Sequence, residues 1–482
     1  VSEGGAAGDG GAMWDWLAAP DYWAARFAVQ HLVAVGYLLG FTCALRQFRG
    51  LLGERGLTPI SRFLARVSFR GAPSLFHLHY SDRFFAAVCW VGIAGSVLAL
   101  VADLGPLWAW LVLWLLLWVL YLSIVNVGQV WYAFGWESLL LETGFLVAFL
   151  GPGSLVPPAP VLWLLAWLLF RVEFGAGLIK LRGDTCWRDF TALYYHHETQ
   201  PMPGPLSRWF HWLPRPLHRI EVLANHGTQL GVPFVLFAPQ PASGVAALIV
   251  VITQLWLMVS GNFAWLNFLT IALACSVMGP WLLGLVTPAP PPLEPLPGWF
   301  AAVVLMLTAV FVVLSYWPVR NMLGRRQVMN LSFNKLHLGN TYGAFGSVTR
   351  TRYEVIIEGA AEEGGPWREY EFRGKPGDPY RRPPQVAPYH LRLDWLMWFL
   401  ALSPSYGRTW LPGLVLALLR NDEHVLRLLR RNPFPDRPPA LVRAQLYRYR
   451  FTTRRERRET GAFWVRTRIG DFIPPLSLTD LR

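Results

Sequence analysis

Apolar residues fall in blocks of about twenty along the first two thirds of the chain, separated by short polar or proline-rich connectors. Nine such blocks stand near residues 23–45, 83–102, 106–126, 132–150, 160–180, 222–238, 244–260, 263–285 and 298–317. Each is long enough to carry a helix across roughly 30 Å of hydrocarbon at about 1.5 Å per residue. Pro and Gly mark the breaks: Gly105-Pro106, Gly151-Pro152 through Pro160, Pro239 to Pro241, and Pro288 to Pro297. Two connectors are long. Residues 46–82 carry six Arg against one Glu and one Asp, and residues 181–221 are rich in Arg, His, Trp and Pro. Nine crossings would put both loops and everything after residue 321 on one side of the membrane.

Beyond residue 321 the period changes. The stretches Tyr353–Gly359 and Trp367–Phe372 alternate across a Glu/Gly-rich turn and predict a β-hairpin. Residues 391–402 and 411–431 predict helices, the second stopped by Asn432-Pro433; residues 444–452 and 462–469 predict strands. The expected fold is a polytopic α-helical membrane protein of about nine transmembrane helices with a small C-terminal α+β extramembrane domain. Its parts are an N-terminal tail (1–22), a helical domain (23–321) and a C-terminal domain (322–482) large enough for a core of its own.

Composition agrees with a bilayer as solvent: 54% of the 482 residues are hydrophobic and 25 are Trp. Only 15% are charged, yet the net charge is +13. Three lysines, Lys180, Lys335 and Lys375, stand among 43 cationic residues. That skew to arginine suggests a GC-rich genome and hence a bacterial plasma membrane. The basic residues flank spans without any nucleic-acid motif, so lipid headgroups are the expected partner and nucleic acid is not. Read by charge alone, the basic side would be cytoplasmic. Cys43, Cys89, Cys186 and Cys275 show no Cys-x-x-Cys spacing, which argues against a disulfide framework or zinc site. The acidic N-terminal stretch (Glu3, Asp9, Asp15, Asp21) lacks the basic start of a signal peptide, so the first block reads as a retained span.

Ionisable groups inside spans are costly and mark candidate sites. Glu137 and Glu142 fall in the fourth block, Arg171, Glu173 and Lys180 in the fifth, and Asn225, His226 and Gln229 in the sixth. Glu173, Gly177 and Lys180 share one helix face, and Gly175 and Gly177 would admit a close neighbour. These charges either pair across helices as structural glue or serve a site. Lys180 has the same two readings. Buried, its amine could act as a base, which guanidinium cannot; at a helix end, it could snorkel to the headgroups. The run His196-His197-Glu198 puts its ligands one residue apart rather than three or four, and no metal centre is expected there. The Arg448, Arg450, Arg454, Arg455, Arg457 and Arg458 tract reads as a solvated or lipid-facing surface, or as a dock for an acidic client. No P-loop, dinucleotide fingerprint, nucleophile elbow or zincin motif is present.

Ordered stretches from end to end resemble the lipase maturation factor family. They include Leu122–Gln129, Phe134–Glu142, Arg171–Asp184, Cys186–Asp189, His197–Pro203, Trp367–Phe372, Lys375–Pro379, Arg392–Phe399, Asn432–Pro435 and Leu446–Phe451. The resemblance implies a membrane-embedded folding factor for exported lipases, in eukaryotes resident in the endoplasmic reticulum. It implies that residues 322–482 face the client on the extracytoplasmic side, against the charge argument. Trp367, Tyr370, Trp395, Tyr447, Arg448 and Arg450 are then the expected client-binding residues. A second, shorter likeness joins Gly177-Leu178-Ile179-Lys180-Leu181 to the vitamin K-dependent carboxylase-like membrane family. It implies an alternative: a membrane enzyme with Lys180 as catalytic base, Glu173 and Glu142 beside it, and a quinone or lipid cosubstrate. The folding-factor reading expects no cofactor beyond a bound lipid or quinone.

Overall fold

In hydrocarbon every backbone amide must bond within its own segment, so apolar blocks become helices. The computed structural model describes residues 16–102 and 104–481, and Glu3, Asp9 and Asp15 of the acidic N-terminal stretch lie outside them. The helices run α1 (Trp23–Leu51), α2 (Asp82–Val101), α3 (Leu107–Val127), α4 (Gly135–Ala148), α5 (Ala159–Arg182), α6 (Leu193–Thr199) and α7 (Arg215–His226). A π-helical turn (Gly227–Gly231) leads into α8 (Val232–Val235), followed by α9 (Ala242–Ser260), α10 (Leu266–Cys275), α11 (Gly298–Leu314) and α12 (Tyr316–Leu323).

Among the described residues, six helical stretches are long and apolar enough to cross a membrane: Pro20–Leu51, Asp82–Val101, Leu107–Val127, Ala159–Arg182, Ala242–Ser260 and Gly298–Leu323. The other three expected spans are helical but short. α4 has 14 residues and α10 has 10, cut off by Gly151-Pro152 and Gly279-Pro280. The 222–238 block changes to π geometry at Gly227, and Pro233 removes a backbone donor just beyond. α4 and α10 are buried by the long helices, with Leu139, Leu140, Leu141, Leu269 and Leu273 fully inside. The long helices instead turn Trp90, Val101, Trp108, Val112, Val312 and Val313 outward, as a lipid-facing surface requires.

The C-terminal part holds one antiparallel sheet of order β2-β1-β3-β4, from β1 (Arg352–Ala360), β2 (Arg368–Glu369), β3 (Leu441–Phe451) and β4 (Trp464–Leu476). Around it lie α13 (Arg392–Leu402), α14 (Leu411–Leu419), α15 (Glu423–Leu426) and α16 (Arg454–Thr460). The single helix expected over 411–431 is two, because the Asp422 carboxylate caps the amides of His424 and Val425 and starts a new turn. The predicted hairpin has a short second arm, since Glu371 leaves β1 to bridge Arg431. α16 starts on a capping box between Thr453 and Glu456.

The core of this part is shared. Val355, Ile357, Val442, Leu393 and Trp395 belong to the same buried cluster as Phe48, Leu51 and Trp131 of the bundle. Gly50 lies so near α15 that a Cβ would stand 2.7 Å from the His424 carbonyl oxygen. Both long loops meet the sheet or its helices: a Cβ on Gly413 of α14 would stand 3.2 Å from the Leu57 carbonyl oxygen, Phe451 N donates to Glu198 Oε2 at 2.7 Å and Trp212 Nε1 to the Thr452 carbonyl at 3.2 Å. At the far end of the bundle Ala18 bridges Pro158, and Leu155 bridges Glu294. The two loops and the C-terminal part therefore sit together at one end.

Candidate functional site

α5 presents polar groups to two different places. Arg171 faces α4, where its Nη2 lies 2.5 Å from Glu142 Oε1 and its Nη1 donates to the Asn340 carbonyl at 2.9 Å. Glu142 Oε2 accepts from Asn340 N (3.1 Å), Asn340 Nδ2 (2.7 Å) and the Tyr342 hydroxyl (2.8 Å). Both charges are almost completely buried. A carboxylate this fully engaged is a clamp, and Glu142 is not among the residues that line the cavity holding Glu173 and Lys180. A second clamp binds Glu137 to Arg392 Nη1 (2.6 Å) and the Tyr121 hydroxyl (2.5 Å). Each clamp joins a membrane helix to a residue beyond 321.

The same helix turns Glu173 and Lys180 into a cavity of about 780 Å³ between the bundle, the 181–221 loop and the C-terminal part. Aromatic residues, among them Trp187, Phe345, Trp395 and Trp398, supply much of its wall. Lys180 Nζ donates to Gln229 Oε1 at 2.7 Å and Asn225 Oδ1 at 3.1 Å, and lies 5.0 Å from the Trp187 ring centroid. Its side chain is buried, so it does not snorkel. Among the described residues no carboxylate comes within ion-pair distance of it. Glu173 Oε1 accepts from Gln254 Nε2 at 2.6 Å, and Asn267 Nδ2 donates to Gln254 Oε1 at 2.6 Å. Glu173 Oε2 makes no hydrogen bond.

The glycines of α5 make the approach possible. At Gly175 a Cβ would stand 2.4 Å from the Tyr342 carbonyl oxygen, and at Gly177 2.7 Å from the Leu230 side chain and 3.0 Å from that of Gln229. The π turn thereby lays Gln229 over Lys180, while the 330–346 strand of chain closes the other flank.

The expected client-binding residues divide by burial. Tyr370 and Trp395 are each 3% exposed; Trp395 packs on Trp136 at a centroid distance of 4.9 Å. They are core residues with almost no surface: Trp395 fills the seam with the bundle, and Tyr370 packs on Phe434 within the C-terminal part. Trp367 is half-buried beneath the Arg443 guanidinium, and Tyr447 half-buried beside Arg466. Arg448 and Arg450 are exposed, Arg450 in an ion pair with Glu456 at 2.6 Å.

Other groups escaped the sequence reading because their partners are far away in the chain. Asp184 takes a two-pronged bond from Arg350 (2.7 and 2.8 Å), which holds its carboxyl well below the usual range. Arg352, Glu354 and Lys375 form a buried triad, with Lys375 Nζ 2.9 Å from Glu354 Oε2. His197 meets His218 and Glu221 of α7, whose spacing of three is a signal legible in the sequence. The four cysteines are buried free thiols.

A family model for the lipase maturation factor transmembrane domain matches residues 24–281, and one for the lipase maturation factor C-terminal domain matches residues 338–474. Lipase maturation factor 1 of Bos taurus is 41% identical over 97% of this chain and 91% of its own length. The Homo sapiens protein of that name is 40% identical over 96% and 89%. Lipase maturation factor 2 of Homo sapiens is 30% identical over 93% and 82%. No solved structure matches. These matches give the carboxylase-like reading of Lys180 no support, and it is set aside.

Proposed function

This chain belongs to the lipase maturation factor family, and from that premise we propose that it matures exported lipase-like proteins by holding them against its C-terminal sheet. The observation that carries the reading is β4. It is the outer strand of the sheet and 13 residues long, with Thr467, Arg468 and Ile469 exposed and Ile469 52% so. An open strand edge is a template for pairing with another chain, and natural proteins usually blunt it. Pro474, Pro475 and the register breaks opposite Val442–Tyr447 blunt its second half, while Trp464–Arg468 pairs regularly with Tyr447–Phe451 and runs beside exposed Arg448 and Arg450 and the arginines of α16. A partly folded client carrying an unpaired strand and acidic side chains fits that edge. Trp367 and Tyr447 border the same sheet.

Residues 322–482 then form the client-facing part, on the extracytoplasmic side, and the membrane is a bacterial plasma membrane by the arginine skew. Lys180 and Glu173 serve ligand holding rather than catalysis. The ammonium, which among the described residues meets two amide oxygens and the Trp187 ring and no carboxylate within ion-pair distance, fits the anionic headgroup of a membrane lipid whose chains fill the aromatic cavity. Glu142 is structural.

A photo-crosslinking residue placed at Ile469 or Arg448 in the full chain tests the client surface. Co-expressed lipase should form adducts from both positions and none from Trp108 on the lipid-facing side. Equal adducts at Trp108, or none at either sheet position, would overturn the assignment.

A further inference from the structure

The 181–221 loop and α7 contain a side-chain cluster at the edge of the cavity, whose wall shares Glu221 and Trp256 with it. His197 of α6 points at His218 and Glu221 of α7, and one ligand atom from each lies within 4.8 Å of the other two. His197 and His218 are each 2% exposed. Neither ring nitrogen of His197 has a hydrogen-bond partner, nor has His218 Nδ1, nor Glu221 Oε2. His197 Nε2 lies 3.8 Å from Glu221 Oε2. Meanwhile Trp256 Nε1 donates to Glu221 Oε1 at 2.6 Å, fixing the carboxylate with its second oxygen turned to the histidines. Buried polar atoms normally find partners, and unpartnered atoms on three adjoining side chains are unusual.

We propose that His197, His218 and Glu221 bind a divalent cation of the zinc class. Two imidazoles and one carboxylate are a common zinc set, with a fourth position left for water or another ligand. Donors around tetrahedral zinc at about 2.0–2.2 Å stand roughly 3.3 Å apart, so these side chains need close by no more than about 1.5 Å. Trp256 supplies the outer hydrogen bond that orients a ligating carboxylate. His218 and Glu221, three apart on α7, share a face, and His197 comes from α6; the ion joins the two helices. Glu198, next to His197, receives the Phe451 amide, and Trp212 reaches Thr452. The cation therefore braces the loop on which the end of β3 rests. This inference stands apart from the client reading, since metal uptake is measured without any client.

The test titrates the purified full chain in detergent, stripped with chelator, with cobalt(II) and then zinc(II). The expected result is one cobalt per chain with visible bands of four-coordinate N/O ligation, bleached by zinc, and a thermal midpoint several degrees higher with zinc. His197→Gln, His218→Gln and the near-isosteric Glu221→Gln should each weaken uptake at least tenfold and lose the thermal gain. His226→Gln, on the same helix but outside the cluster, should retain both. Absence of saturable cobalt uptake by the wild type overturns the proposal, whether or not any variant folds. Wild-type affinity in cluster variants that remain monodisperse overturns it equally.

Discussion

Arg171 and Glu142 illustrate what a buried charge does in this protein. Each would be costly alone, and each is held by the other and by the backbone and side chain of Asn340. Removing one partner strands the other, so Arg171→Met should destabilise by about 3–5 kcal/mol, measured by denaturant or thermal unfolding in detergent. Adding Glu142→Gln to that variant should restore part of the loss, which a purely steric role for Arg171 would not allow. His390 gives a pH signature. Burial, with the Arg392 guanidinium beside it, lowers its imidazole to about 4, against the ordinary 6.5. The unfolded chain takes up a proton as pH falls through 6.5 while the folded chain does not, so stability falls from pH 6.5 towards 4 and is flat above 7. From His390 alone the loss by pH 5 is about 2 kcal/mol, visible as a falling thermal midpoint. The charged residues themselves were legible as candidates because ionisable groups stand out in apolar blocks. Their division into a clamp and a cavity was not, since Arg171 and Glu173, two apart on a helix, point to different neighbours that only the tertiary fold supplies.

At the scale of elements, α5 and the chain over 330–346 form one unit. Gly175 and Gly183 let the carbonyls of Tyr342 and Gly346 lie directly on the helix, where a Cβ would stand 2.4 and 2.1 Å away. Backbone cannot yield as a side chain does, so Gly175→Ala should cost about 1–3 kcal/mol and loosen the cavity wall, read as faster proteolysis of the 330–346 segment. The Gly-x-Gly spacing announced close approach, though not by what. Apolar blocks located the helices well, yet three came out short. Block length counts residues that are buried by protein as readily as by lipid, and α4 and α10 are of the first kind. The hairpin and both C-terminal strands followed from alternation, whereas the split between α14 and α15 turned on a single cap at Asp422.

For the whole molecule the sequence suggests two parts, a membrane bundle and a separate α+β domain, because hydropathy changes sharply near residue 322. The packing joins them. Glu137 needs Arg392, Glu142 needs Asn340 and Tyr342, and one apolar cluster runs from Phe48 to Val442. Hydropathy along a chain reports what each segment tolerates and is silent on long-range pairing. A chain truncated after residue 321 should therefore fail to give a monodisperse membrane protein, because two buried carboxylates lose their partners; a well-behaved truncated bundle by size-exclusion chromatography would contradict this. The united architecture also gives a maturation factor a common base, with the end of β3 tied to the 181–221 loop through Glu198 and Trp212. The most direct test of that account is the specific activity of a secreted lipase made in a host lacking this protein and complemented in turn with wild type and Ile469→Asp at equal expression. The account predicts that wild type restores active lipase and Ile469→Asp, a surface change on β4, does not. Full restoration by Ile469→Asp would contradict the sheet edge as the client surface, and failure of wild type to restore activity would contradict the maturation function itself.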